Sequence, residues 1–214
     1  ASDVDGDALT FSAGNGDSEI VVDGTILTIT PPANYNGSDT VTVTVTDGDL
    51  SDSTTFTLTV NPVNDAPAFD DLADASVAED TDFVLELSAS DIDGDALTFL
   101  ASVDANGSVS VNGSTLTVTP AQDYNGAINV NVVASDGQAS GSGSFTLTVT
   151  AVNDAPVIGA LDSQSIDEDS SLTITLSASD VDGDNLTYSA ESTDINIEVD
   201  GSSLTLTPPA NYNG

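Results

Sequence analysis

Ala89-Ser90-Asp91-Ile92-Asp93-Gly94-Asp95 decides how this chain is read, because the same stretch occurs three times. Ala-Ser-Asp-Val-Asp-Gly-Asp stands at 1–7 and again at 178–184, so the copies are spaced by 88 and 89 residues. Two other markers keep the same period. Val-Asn-Asp-Ala-Pro at 63–67 returns at 152–156, and Pro-Pro-Ala-Asn-Tyr-Asn-Gly at 31–37 returns as Pro-Ala-Gln-Asp-Tyr-Asn-Gly at 120–126 and intact at 208–214. Three markers in phase make this a tandem repeat. The boundaries read as an incomplete repeat over 1–64 that lacks its first strands, a complete repeat over 65–153, and an incomplete repeat over 154–214 that lacks its last strands. The chain reads as a slice of a longer one.

Within the complete repeat the apolar residues recur with period two, the signature of half-buried strands. Phe83 to Ala89, Leu97 to Leu100, Ile128 to Val132 and Phe145 to Val149 alternate in this way. Val109-Ser110-Val111 and Leu116-Thr117-Val118-Thr119 flank Asn112-Gly113, which predicts a hairpin with these two residues at a type I′ turn. Asp23-Gly24 and Asp200-Gly201 hold the same place in the other repeats. A short strand near Ala75–Val77 brings the count to about seven antiparallel strands, and no stretch has helical spacing. The fold class predicted is all-β: tandem immunoglobulin-like, seven-stranded sandwiches of about 89 residues each.

Composition narrows the function. The 214 residues include 36 acids and no Lys, Arg or His, a formal net charge of −36. Such a chain has nothing to neutralise phosphate, so nucleic acid is excluded as a partner, and an anionic membrane surface repels it. No apolar run reaches the roughly 18 residues of a membrane helix, so membrane insertion is not expected. Without His, Cys, Lys or Arg the usual nucleophiles and bases are missing, and paired carboxylates that recur on loops do not make a catalytic pocket. No enzyme is expected. Charge of this density is tolerable where salt screens it, which points to a marine or halophilic setting.

The acids gather on loops. Asp91, Asp93 and Asp95 follow the second strand, Asp136 follows the sixth, as does its counterpart Asp47, and Asn64 and Asp65 lie in the linker; Glu79-Asp80 is expected toward the opposite end. Carboxylate and amide oxygens without His or Cys suit Ca2+ and disfavour zinc or copper. An EF-hand is excluded, since the twelfth position from Asp91 is Ser102 and not Glu, and the glycine is misplaced. Tyr35, Tyr124 and Tyr212 are read as loop-tying tyrosines of the kind found at sandwich corners. Phe11, Phe99 and Tyr188 share one strand position and are read as core. The sequons at Asn36, Asn106, Asn112 and Asn185 are read as turns.

Val-Asn-Asp-Ala-Pro, Ala-Glu-Asp, Ala-Ser-Asp-Ile-Asp-Gly-Asp, Tyr-Asn-Gly and Ser-Asp-Gly, in that order, make the chain resemble the cadherin-like tandem repeats of giant secreted RTX-type bacterial adhesins. The resemblance implies cell adhesion, an extracellular or cell-surface location, a place in biofilm, and Ca2+ as the cofactor. By the more distant likeness to animal cadherins, Ca2+ would sit between repeats. The first junction would use Asn64, Asp65, Asp91, Asp93 and Asp136; the second would use Glu79, Asn153, Asp154, Asp180 and Asp182. The cadherin Asp-Arg-Glu element is missing, so one or two ions per junction are expected. The function implied is a stalk or spacer of a surface filament, stiffened by Ca2+ at its linkers. Its partners would be neighbouring repeats of the same chain, with self-association into filaments a further expectation; the receptor is unassigned. Two alternatives stand beside this: a carbohydrate- or ligand-binding module, and a subunit of a donor-strand polymer.

Overall fold

The computed structural model describes residues 1–16 and 18–212. Asn213-Gly214, which complete the third Tyr-Asn-Gly marker, lie outside the described residues. The first repeat contributes β1 (Thr10–Gly14), β2 (Glu19–Asp23), β3 (Ile26–Thr30), β4 (Gly37–Thr46) and β5 (Ser51–Val60). The complete repeat contributes β6 (Ala68–Phe69), β7 (Ala75–Ala78), β8 (Phe83–Glu86), β9 (Ala89–Ser90), β10 (Thr98–Val103), β11 (Gly107–Asn112), β12 (Thr115–Pro120), β13 (Gly126–Ser135) and β14 (Ser140–Thr150). The third contributes β15 (Val157–Ile158), β16 (Leu172–Thr175), β17 (Ala178–Ser179), β18 (Asn196–Asp200) and β19 (Ser203–Thr207). Among the described residues there is no helix, and so none long and apolar enough to cross a membrane.

Two sheets face each other in the complete repeat, in the orders β10–β13–β14–β7 and β11–β12–β8. Alternation drives this arrangement. Ile128, Val130 and Val132 of β13 and Phe145, Leu147 and Val149 of β14 point inward, and with Leu87 and with Leu116 and Val118 of β12 they form one core. Burial of each such aliphatic side chain stabilises the fold by about 1.5–3 kcal/mol. Phe69 against Phe99 and Phe83 against Phe145 add tilted aromatic pairs, with centroids 5.9 and 6.0 Å apart. The first repeat shows the same strand sequence from β1 to β5 as the complete repeat shows from β10 to β14, with Val41 at the core position of Val130.

Three details depart from the sequence reading. The predicted pairing is all antiparallel, whereas β7 runs parallel to β14, Ala75 opposite Leu147 and Ala78 opposite Thr150. The strand predicted over Phe83 to Ala89 is broken at Leu87-Ser88, because β8 pairs with β12 while β9 crosses to β6. The break is held by Leu87 N–H donating to Ser114 O at 2.8 Å and by Ser88 Oγ donating to Asp70 Oδ2 at 2.6 Å. The hairpin turn lies one residue later than predicted. Asn112 pairs with Thr115, so Gly113 and Ser114 form the loop. Positive φ falls on Gly113 (64°) and not on Asn112, the requirement of a II′ turn with Gly first. Gly24 and Gly201 repeat this at φ of 59° and 56°.

In the third repeat the counterpart of β10, near residues 187–192, forms no strand. In the complete repeat β10 is held by β13, and nothing in residues 154–212 corresponds to that strand.

The loop-tying reading of tyrosine holds at Tyr124. Its Oη donates to Ala127 O at 2.9 Å, across a backbone that passes close beneath the ring. Gly126 has φ of 141°, and a Cβ there would stand 2.6 Å from Tyr124 Oη. At Gly37 the same Cβ would stand 3.6 Å from Tyr35 Oη. Gly126→Ala is therefore expected to cost about 1–3 kcal/mol through strain and clash together, and Gly37→Ala about 1 kcal/mol through strain alone. Denaturant unfolding of the two variants checks the order. Equal losses would mean that the tyrosine contact contributes nothing.

Candidate metal centre

The Asp-x-Asp-Gly-Asp loops fold on their own first carboxylate. Asp91 Oδ1 accepts the N–H groups of Asp93 (2.9 Å) and Asp95 (3.3 Å), and Gly94, at φ of 82°, donates to Asp91 O at 3.3 Å. Short acidic side chains favour this kind of local turn. The first repeat does the same, Asp3 Oδ1 accepting from Asp5, Gly6 and Asp7, and in the third repeat Asp184 N–H donates to Asp180 Oδ1 at 3.1 Å. The first acid of each loop is thus committed through one oxygen. The other oxygen of Asp91, Oδ2, is buried with no hydrogen-bond partner.

The second acid of the loop clasps the linker. Asp65 N–H donates to Asp93 Oδ2 at 2.8 Å, and Asp154 N–H donates to Asp182 Oδ2 at 2.7 Å. The linker amide takes the next step. Asn64 Nδ2 donates to Asp136 Oδ2 and to Asp65 O, both at 2.9 Å, and Gln138 Nε2 donates to Asn64 Oδ1 at 3.0 Å. Asp136 Oδ1 accepts from Gln138 and Ala139 N–H, each at 2.6 Å. The Ala139 amide, the Asn64 side chain and the Gln138 amide together hold its carboxyl below the ordinary value. Asp47 is lowered in the same way by the Leu50 and Asp49 amides. All five residues predicted for the first junction therefore belong to one connected cluster.

At the second junction the carboxylates converge more closely. Oxygens of Glu79, Asp154 and Asp182 lie within 4.8 Å of one another, and so do oxygens of Asp80, Asp123 and Asp154. Asp154 is common to both groups. Glu79 is only 4% exposed, and its Oε1 accepts Val152 N–H at 2.6 Å, which ties the end of the complete repeat to the linker that leaves it. Asn153 Nδ2 donates to Asp154 O at 2.8 Å, the contact that Asn64 makes with Asp65. Asp180 folds its loop and is not a member of either group.

Asp80 and Asp123 are the residues that sequence reading left out of the site. Both are left-handed, with φ of 56° and 55°, a conformation that Asp tolerates better than most residues. Asp123 N–H donates to Asp80 Oδ1 at 3.2 Å, and in the third repeat Asn211 N–H donates to Asp169 Oδ1 at 3.1 Å. The signal was present in phase: Glu79-Asp80 recurs as Glu168-Asp169, and Asp123 occupies the place of Asn34 and Asn211.

Electrostatics at this junction are one-sided. Desolvation, followed by the charges of Asp123, Asp182, Asp80 and Glu79, pushes the Asp154 carboxyl above its ordinary value. Its Oδ2 is buried without a hydrogen-bond partner. No side-chain cation exists anywhere in the chain to offset this. The donor set, five carboxylates with no nitrogen or sulfur ligand, fits a hard divalent cation such as Ca2+, which takes about six to eight oxygens. Glu79, Asp80, Asp123, Asp154 and Asp182 are the residues that would hold it.

Residues 1–61, 64–150 and 153–214 each match the family model described as bacterial Ig domain. Chitinase A of Pseudoalteromonas piscicida is 37% identical over 110 residues, which cover 49% of this chain and 13% of that protein. Among solved structures, the endo-fucoidan hydrolase MfFcnA4 from glycoside hydrolase family 107 is similar at a TM-score of 0.39 and 21% identity, over 95% of this chain and 34% of that one. EC1-2 of human protocadherin-24 is similar at a TM-score of 0.45 and 14% identity, over 72% of this chain and 85% of that one. With one model matched three times in tandem across almost its entire length, the chain belongs to the bacterial Ig domain family.

Proposed function

We propose that this chain is a non-catalytic stalk segment of an extracellular surface protein, in which Ca2+ at the linkers fixes one repeat against the next. The observation that carries this reading is Asp154. It lies in the linker, and it meets Glu79, Asp80 and Asp123 of the repeat before it and Asp182 of the repeat after it. Without a cation these five charges repel across the junction. With Ca2+ the same oxygens become shared ligands, and free rotation at the linker is replaced by fixed coordination. Millimolar calcium outside the cell would load even a weak site of this kind. The tandem Ig-like modules supply reach, and the linkers supply stiffness. A role in adhesion would then be one of presentation: the stalk sets the distance at which something else binds.

The reading is tested by small-angle scattering of the chain in calcium and in chelator. The expected result is a long, well-defined maximum dimension in calcium that blurs in chelator. Asp154→Asn is expected to give the blurred profile at calcium levels that keep the parent chain rigid. Identical profiles in all three conditions would rule out metal as the source of stiffness and leave a plain spacer.

Acid gives a second test, and its sign reverses with pH. Asp154 has a raised pKa in the folded chain, so in chelator its ionised form opposes the junction, and protonation relieves that opposition as pH falls toward the ordinary carboxylate range. Asp136 has a lowered pKa, so its contribution is present above its ordinary value of 3.8 and is lost as pH falls through the lower folded value. Calcium-free stability should therefore rise on mild acidification and then fall. Asp154→Asn should remove the rise and leave the fall. Thermal melts across the acid range check both limbs, and a monotonic loss from neutrality would contradict the first.

A further inference from the structure

Each sheet of a sandwich turns one face to the core and one to solvent, and in this chain the two kinds of outer face differ. Acids stand among the outward residues of the sheets built on β2, β8 and β18: Glu19, Asp23, Glu86, Glu198 and Asp200. The outward positions of the sheet of β1, β4 and β5 carry none. Every outward position of β4 from Ser38 to Thr46, and every outward position of β5 from Ser51 to Thr59, is Ser or Thr. Thr10 and Ser12 of β1 continue the rows beside Thr46 and Thr44. In the complete repeat the outward residues within β10, β13 and β14 are uncharged, but two carboxylates flank them: Asn129 Nδ2 donates to Asp104 Oδ2 and Thr146 N–H donates to Asp74 Oδ1, both at 2.7 Å. In a chain that is 17% charged, all of it acidic, the outer face of β1, β4 and β5 is neutral.

The face of the first repeat is also regular. Thr42 stands opposite Thr55 and Thr40 opposite Thr57, all four exposed. Rows of hydroxyls recur roughly every 6.7 Å along each strand and about every 4.8 Å across strands. Ser38 and Thr59 share a hydrogen bond of 3.4 Å, and Thr46 donates to Leu50 O at 2.8 Å; Thr40, Thr42, Thr55 and Thr57 make no side-chain hydrogen bond among the described residues. β-Branching restricts threonine χ1, so ordering these side chains against a surface costs little.

A polyanion with one neutral face selects its partner by charge. An anionic polymer is repelled by the body, and a cationic one is drawn to the acid-bearing sides. A lipid surface finds no broad apolar area here. A second copy is disfavoured by size, because a face of about 15 by 30 Å gives roughly 900 Å² for both partners, short of the ~1,200 Å² of a stable interface. What remains is an uncharged partner that donates and accepts hydrogen bonds from regularly spaced groups. We propose that this face docks on the surface of an ordered, uncharged polysaccharide. The face carries no aromatic ring, since Phe11 and Phe56 lie at inward positions, so it cannot stack on a single sugar. Binding comes from many weak contacts to a flat array, which favours an ordered insoluble polymer over soluble oligosaccharides.

The test is depletion of the full 214-residue chain from solution by microcrystalline cellulose and by crystalline chitin, in high salt, with calcium and again with chelator. At least one polymer is expected to deplete the chain equally in both buffers, so the outcome is separate from that of the calcium reading. Thr42→Asp with Thr55→Asp should lower the bound fraction about tenfold, because two charges would then be desolvated at the contact. Thr28→Asp, on the acid-bearing sheet of the same repeat, should leave it unchanged. Depletion by neither polymer, equal loss in the Thr28 variant, or competition by soluble oligosaccharide at matched sugar concentration would overturn the proposal. So would a sedimentation result in which the neutral face mediates self-association instead.

Discussion

Thirty-six carboxylates occupy a chain that has no side-chain cation, so no salt bridge between side chains is available to any of them. Each acid is satisfied by water, a backbone amide, a hydroxyl, an amide side chain or an ion from solution. Much of the architecture follows from which of these it finds. Where an acid sits at a turn, nearby N–H groups fold around it, as around Asp3, Asp91 and Asp47. Where it sits at a strand edge, hydroxyls take it up: Glu86 accepts from Thr115 and Ser114, and Thr119 donates to Asp82. Those hydroxyls hold the Glu86 carboxyl below its ordinary value. Where several acids meet with too few donors, as around Asp154, the demand is left open in a donor set compatible with a hard divalent cation.

The junctions are organised by the same accounting. The clasp of Asp65 by Asp93 is repeated by Asp154 and Asp182, and it lets the linker keep a fixed course before any ion is considered. What differs is the acid supplied from the preceding repeat. Asp123 faces Asp154 at the second junction, whereas Asn34 holds the equivalent place in the first repeat. The two linkers are built to one plan with different charge.

Period, strand pattern and linker acids were legible because each rests on local chemistry that repeats. The fold class followed from alternation, and the five first-junction residues, which came from the likeness to cadherins, lie in one hydrogen-bonded cluster. What was not legible depended on long-range choices of partner. The break at Leu87-Ser88 exists because the chain changes sheets there, and nothing in Glu-Leu-Ser-Ala signals it. The shift of the hairpin by one residue, from Asn112-Gly113 to Gly113-Ser114, follows from the register of β8 and β11 against β12. Asp80 and Asp123 are 43 residues apart in sequence and meet only because both take a left-handed turn at the same end of the sandwich. A search for acids that recur in phase, and not only for acids in a familiar motif, would have found Asp80.

The parallel pairing of β7 with β14 has a mechanical consequence. The chain enters the complete repeat through the two-residue β6, passes into β7, and leaves just after β14; β7 and β14 run the same way over Ala75–Ala78 and Leu147–Thr150. Once the short β6–β9 pair has yielded, tension along the chain pulls β7 backward by its N-terminal end and β14 forward by its C-terminal end. The load falls on the ladder in shear, so its hydrogen bonds share the force and must give way together. An antiparallel closing strand would be peeled from one end, one bond at a time. The complete repeat is thus fastened in the direction in which a tether is pulled.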